Sequence, residues 1–190
     1  MAIATAILAA SCSVTYSDAR YSPEELNRRI VDASSGQGIA GAFVVFTWNR
    51  RQVDIGHGAS TECVRVELVR TDSDGRYKVP DWQGRNGGIR SIFQRGYVEG
   101  NDPVASSRGI DKMTRGSTVF AERAMELRRS LILCSDDEDR KLQELYRALL
   151  DEARSIARTD DERREVERYF FARVEAATYG REEAFRRLAK

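Results

Sequence analysis

Few residues of this 190-residue chain have side chains suited to catalysis. It contains three cysteines, Cys12, Cys63 and Cys134, and a single histidine, His57. Cys63 and His57 have the residue types of the nucleophile and base of a hydrolase. No oxyanion hole or orienting group can be placed beside them, so we expect His57 to be an exposed loop residue and the chain not to be an enzyme. The single histidine and the lack of a Cys-x-x-Cys motif predict no zinc site and no cofactor.

A second candidate site is a group of aspartates. Asp72, Asp74 and Gly75 have the spacing that begins an EF-hand calcium loop, and Asp32 is a further acidic residue. The loop should end on a glutamate at its twelfth position, but that position is Gln83. We therefore predict that these aspartates form tight turns and that no metal is bound.

The N-terminal residues have features of an export signal. Residues 2–10 are apolar and uncharged, and Ser11 and Cys12 follow them. This resembles the lipobox of bacterial lipoproteins, in which the cysteine is acylated after cleavage. Residues 1–12 are therefore a candidate signal segment with Cys12 as the lipidation site, followed by a tether over residues 13–24. No Lys or Arg precedes the apolar run, so a disordered cytosolic N-terminus is the alternative.

The oxidation state of the two remaining cysteines depends on the cellular compartment. If Cys12 is acylated, Cys63 and Cys134 are an even pair and a candidate disulfide in an oxidising environment. The alternative is two separate buried thiols. The predicted location is the periplasm or cell envelope.

The overall charge excludes one class of partner. The chain has 31 Lys and Arg against 30 Asp and Glu, a net charge of +1. This balance does not indicate a nucleic-acid-binding protein. After the N-terminus no apolar run reaches the length of a membrane span, so membrane contact is expected only through a lipid anchor.

Residues 25–100 have the pattern of a β-domain. We predict strands over residues 26–32, 39–48, 61–71, 76–80 and 89–93, with a loop over residues 50–60. In the third strand the alternation places Val64, Val66 and Leu68 on the core face and Cys63 on the other. The Asp-Gly turn over residues 72–75 predicts a hairpin between the third and fourth strands.

The rest of the chain is predicted to be irregular and then helical. Residues 101–134 form an irregular extension with a short helix over residues 118–129. Residues 135–190 have the apolar periodicity of two charged helices, joined near residues 158–160 as a hairpin. Ser135 with Glu138, and Thr159 with Glu162, have capping-box spacing.

Three segments resemble the motifs of carboxypeptidase regulatory-like domains. Residues 30–44 match a strand that ends in Val-Asp, a Gly turn and an Ile-x-Gly-Ala strand, with Gly38 where proline is usual. Residues 71–77 resemble the Thr-Asp-x-Asp-Gly-x-Tyr motif, and residues 92–97 resemble an apolar strand ending in Gly-Tyr. The resemblance implies a seven-stranded transthyretin-like β-sandwich without catalytic residues, in a mainly β chain with an α appendage.

These features predict a non-catalytic, exported envelope protein, with Cys12 as a candidate anchor and the sandwich as an interaction or structural module. Its partner would be an unidentified envelope protein or glycan. One alternative is a carbohydrate-binding module that uses Trp48, Trp82 and Tyr77 as exposed aromatic rings. A second alternative is the Cys63/His57 hydrolase.

Overall fold

The computed structural model describes residues 27–54, 58–80, 89–132 and 134–189. The described residues form seven strands in two sheets, which do not close into a barrel. Sheet A has the strand order β4-β1-β7-β6, and sheet B has the order β3-β2-β5. All neighbouring strands are antiparallel except β1 and β7. The strands are β1 Asn27–Asp32, β2 Phe43–Asp54, β3 Gly58–Arg70, β4 Arg76–Lys78, β5 Ile89–Phe93, β6 Tyr97–Glu99 and β7 Ile110–Arg115.

The described residues also form seven helices, and all but the first follow β7. They are α1 Pro103–Ser107, α2 Phe120–Arg128, α3 Asp136–Lys141, α4 Gln143–Ile156, α5 Asp160–Val166, α6 Ala172–Tyr179 and α7 Arg181–Leu188, with a π-helical turn, Glu167–Phe171, between α5 and α6. The predicted combination of strands followed by C-terminal helices is confirmed, and the chain is mixed α/β. None of the described helices is long and apolar enough to serve as a membrane span.

One of the two predicted capping boxes is present. Thr159 Oγ1 accepts a hydrogen bond from the N–H of Glu162, and Glu162 Oε2 accepts one from the N–H of Thr159. The box at Ser135 is wrong, because the Ser135 side chain makes no capping hydrogen bond. Its expected partner, Glu138, instead accepts a hydrogen bond from the backbone N–H of Val66 on β3, at 2.6 Å.

Strand β2 is buried on both faces because it borders two hydrophobic cores. Val44, Phe46 and Trp48 belong to the core shared with sheet A, where they meet residues such as Ile30. Alternate residues of β2, including Phe43 and Val45, belong to a second core, beneath the helices. This double burial explains why residues 42–48 are apolar almost without interruption, as is typical of a strand covered on both sides.

Three of the predicted strand assignments are wrong. Strand β4 pairs with β1 and not with β3, so the turn at residues 72–75 carries the chain from sheet B to sheet A. The expected loop over residues 50–60 is largely strand, since β2 runs to Asp54 and β3 starts at Gly58. Strand β7 lies in the segment predicted to be irregular.

A register shift between β2 and β3 changes the direction in which Cys63 faces. Trp48 pairs with Arg65, but the next residue, Asn49, pairs with Cys63, so Val64 is an extra residue in β3. An extra residue of this kind is a β-bulge, and it reverses the alternation beyond it. Cys63 therefore packs on the helix-facing core together with Val66. The prediction that these two residues face opposite sides is wrong.

Candidate functional site

The first notable site is a covalent link between sheet B and the helices. The structure joins Cys63 on β3 and Cys134, just before α3, in a disulfide, with Cα atoms 4.9 Å apart and a sequence separation of 71. This Cα separation lies within the normal range for disulfides. Cys134 is buried, and Glu138 of α3 binds the backbone of Val66 nearby on β3. The link and the hydrogen bond together hold α3 against β3.

The second site is a cluster of charged groups between the two sheets, which we call the Asp111 cluster: Asp111, Arg28, Arg90, Tyr77 and Glu99. Asp111 points inward from β7, and only 2% of its side chain is exposed. Arg28 of β1 approaches Asp111 Oδ1 at 2.7 Å, and Arg90 of β5 approaches Oδ2 at 2.5 Å. Tyr77 donates its hydroxyl proton to Oδ2 at 2.6 Å. Arg90 belongs to sheet B, so the cluster ties the two sheets together.

The surroundings of Asp111 and Tyr77 favour an ionised carboxylate beside a protonated hydroxyl. Burial raises the pKa of Asp111, but hydrogen bonds from Arg28 and Arg90 outweigh it, so this pKa lies below its ordinary value. Burial raises the pKa of Tyr77 far above its usual value, so this residue keeps its proton. Glu99 pairs with Arg90 at 3.3 Å. Burial raises the pKa of Glu99 above its ordinary value. Two cations and two carboxylates balance when Glu99 is ionised.

The third site is a buried polar cluster beside Cys134, centred on Asp139. Asp139 of α3 is 1% exposed and accepts hydrogen bonds from the Cys134 N–H and the Tyr146 hydroxyl. Arg173 of α6 pairs with the same carboxylate at 3.2 Å. Burial nevertheless raises the pKa of Asp139 above its ordinary value. These contacts fix the segment that carries Cys134 to the helices around it.

Two of the three aromatic rings of the carbohydrate-binding alternative are buried. Trp48 is 4% exposed and Tyr77 is 5% exposed, so neither ring is available to stack on a sugar. Both rings belong to the core between the sheets, which argues against that alternative. Trp82 lies outside the described residues, as do His57 and the lipidation candidate Cys12.

The aspartates of the calcium hypothesis occupy turns. Asp72 Oδ1 accepts hydrogen bonds from the N–H groups of Asp74 and Arg76. Asp32 Oδ1 accepts hydrogen bonds from Ser34 and Ser35, and these contacts hold the pKa of Asp32 well below its usual range. Within the described residues, no cluster of three or more His, Cys, Asp or Glu side chains could hold a metal ion.

Sequence reasoning missed the Asp111 cluster. Its members come from five strands, and the spacing of Arg28, Arg90 and Asp111 along the chain gives no sign that they meet. The one available signal is that Asp111 and Met113 share a side of β7, which places a charged residue beside an apolar one on the inward side.

Comparisons with other proteins identify no relative: no family model matches the chain, and no characterised protein or solved structure is significantly similar to it. The resemblance to carboxypeptidase regulatory-like domains therefore stays a prediction.

Proposed function

We propose that this chain is a non-catalytic structural or interaction module of the bacterial cell envelope. In this proposal sheets A and B form a transthyretin-like sandwich, and α4 packs with α5 and α6 as a helical hairpin that covers sheet B. The chain is exported and acylated at Cys12. Its partner is another envelope component.

The Cys63–Cys134 disulfide is the observation that carries this proposal. Disulfides persist in oxidising compartments and are rare in the bacterial cytosol, where thiols are kept reduced. The two cysteines are 71 residues apart in sequence, yet the fold brings their Cα atoms to 4.9 Å. With Cys12 acylated, no cysteine would be left free in the oxidising compartment.

The Asp111 cluster supports a role without catalysis. A catalytic acid or base needs a pKa near the working pH and access to a substrate. Asp111 is buried and held by Arg28, Arg90 and Tyr77, so its protonation is fixed and its oxygen atoms are occupied. The glycan-binding alternative loses two of its three rings, Trp48 and Tyr77, to the core.

Intact mass measurement tests the proposal. The full chain is produced with its own N-terminus in a Gram-negative host, and its mass is measured before and after reduction and alkylation. We expect loss of residues 1–11, an acyl gain at Cys12, and a mass two hydrogen atoms below that of the reduced protein. A Cys12→Ser variant is the control and should lose the acyl gain but keep the disulfide. A chain that still begins at Met1, with Cys63 and Cys134 both alkylated without reduction, would contradict export and the crosslink together.

A further inference from the structure

The outward face of sheet A carries cations, and the carboxylates of its strands are on the inward side. Ile30, Tyr77, Asp111 and Met113 point inward and are buried. Asp32 and Glu99 are both backbone register partners of Met113. Register partners lie on the same face of a sheet, so these two acidic residues are on the inward face as well. The intervening positions point outward, and their four cations form what we call the basic face: Arg29, Arg76, Lys78 and Lys112.

The cations of the basic face are crowded and poorly neutralised. Arg29 and Arg76 are direct register partners on β1 and β4, and like charges in such positions repel. Lys112 is the member with a carboxylate beside it, Asp102 at 2.9 Å. Arg29 Nε donates to the backbone oxygen of Asp74, which does not cancel its charge. Among the described residues, no carboxylate lies within ion-pair distance of Arg76 or Lys78.

We propose that the basic face docks on the anionic headgroups of a lipid bilayer. The outward side of a sheet presents its cations to a surface together, and each Lys or Arg near an anionic membrane contributes to binding. Ile110 pairs with Arg29 and is 36% exposed, so an aliphatic side chain lies among the cations. Cations around an exposed apolar side chain match the boundary between headgroups and acyl chains.

The proposed lipid anchor would hold this face near a membrane, and in this respect the inference rests on the proposed function. Asn27, the first residue of β1, is fifteen positions after Cys12. A fully extended chain of that length spans at most about 50 Å. Because β1 carries Arg29, the tether leads directly into the basic face.

Two carboxylates lie next to the basic face. Asp72 and Asp74 belong to the turn before β4, and Asp72 Oδ1 is engaged by two backbone N–H groups. Their negative charge weakens the attraction of the face for anions. Removing the charge of Asp74 should therefore strengthen membrane binding.

Vesicle sedimentation tests the docking independently of export. The full chain with Cys12→Ser has no acyl chain, and it is mixed with phosphatidylcholine vesicles that contain either no anionic lipid or about 30 mol % phosphatidylglycerol, in low salt. We expect binding to the anionic vesicles alone, with loss of binding at high salt. Replacing Arg76→Gln and Lys78→Gln should lower the partition coefficient about 25-fold, or about fivefold per cation. Asp74→Asn should raise it about fivefold.

A matched control separates the face from net charge. Arg163→Gln with Arg164→Gln removes the same charge from the exposed side of α5, and it should change the partition coefficient less than about twofold. Circular dichroism and thermal unfolding establish that each variant is folded. Equal losses in the two double variants, equal binding to neutral vesicles, or binding of soluble polyphosphate without binding of vesicles would each overturn the proposal. Failure of export would appear in the mass measurement and would leave this result unaffected.

Discussion

Replacing both Cys63 and Cys134 by serine should destabilise the protein substantially. The disulfide closes a loop of 71 residues, which restricts the unfolded chain. The chain-entropy relation gives about 15 cal/mol/K for a loop of this length, or about 4.4 kcal/mol at 25 °C. Measured effects are usually somewhat smaller, so we expect the free energy of unfolding to fall by about 3–4 kcal/mol. In a protein of this size the melting temperature should fall by about 10 °C.

Urea unfolding followed by far-ultraviolet circular dichroism measures this loss. The oxidised parent chain, the same chain treated with a dithiol reductant, and the double serine variant are compared side by side. Reduction should destabilise the parent as much as the double substitution does, and reductant should leave the double variant unchanged. Cys12→Ser is the control, and it should behave like the parent in both conditions.

Two results would refute this reasoning. If the oxidised parent and the double serine variant unfold at the same urea concentration, the disulfide does not close a loop of the native fold. If the untreated parent has free thiols at both positions and yet unfolds at the urea concentration expected for the crosslinked chain, other contacts hold α3 against β3. The hydrogen bond from Val66 to Glu138 is the first of these to examine.

Two further predictions concern other parts of the two sheets. Asp111→Asn leaves the guanidinium groups of Arg28 and Arg90 short of a counter-charge, and it should cost about 3–5 kcal/mol in urea unfolding at pH 7. The pKa of Asp111 is lower in the folded protein than in the unfolded chain. Its contribution to the free energy of unfolding is therefore complete above about pH 5 and is lost as the pH falls through the folded pKa. If the difference in unfolding free energy between the parent and Asp111→Asn stays unchanged down to about pH 3, the reasoning is contradicted. Gly75→Ala should cost at least about 2 kcal/mol more than Gly36→Ala in thermal unfolding. Both glycines have positive φ, but an added Cβ at Gly75 would lie 2.4 Å from the backbone oxygen of Ile30, whereas at Gly36 it would meet nothing within 4 Å; equal costs would show that φ alone matters.

The strands predicted best are those whose local composition decides their structure. The β-branched and aromatic run before Trp48 and the segment ending at Phe93 are both strands. Strand β7 escaped prediction because it has a charged residue, Asp111, at an inward position where the pattern of a half-buried strand requires an apolar one. The arginines of β1 and β5, together with the Tyr77 hydroxyl, compensate the buried charge of Asp111, and no local sequence pattern shows that they are near.

Pairing was harder to predict than the strands themselves. The turn at residues 72–75 has the residues of a hairpin, but the strand after it pairs with β1 of the other sheet. The face on which Cys63 lies depends on the β-bulge at Val64, and nothing distinctive in the sequence marks this bulge. A shift of one residue moves every following side chain to the other face, so an error this small also misplaced the cysteine.

Because β2 contributes alternate side chains to both hydrophobic cores, we expect the two sheets and the C-terminal helices to unfold as one cooperative unit. Phe43 and Val45 share a core with Leu145 and Leu149 of α4, while their neighbour Val44 packs with Ile30 of sheet A. A truncation before α3 would keep α2 but expose much of the apolar side of sheet B that the later helices cover, and it should promote aggregation. We therefore expect that the helices are not a separable appendage and that the smallest fragment able to fold contains both β1 and α6.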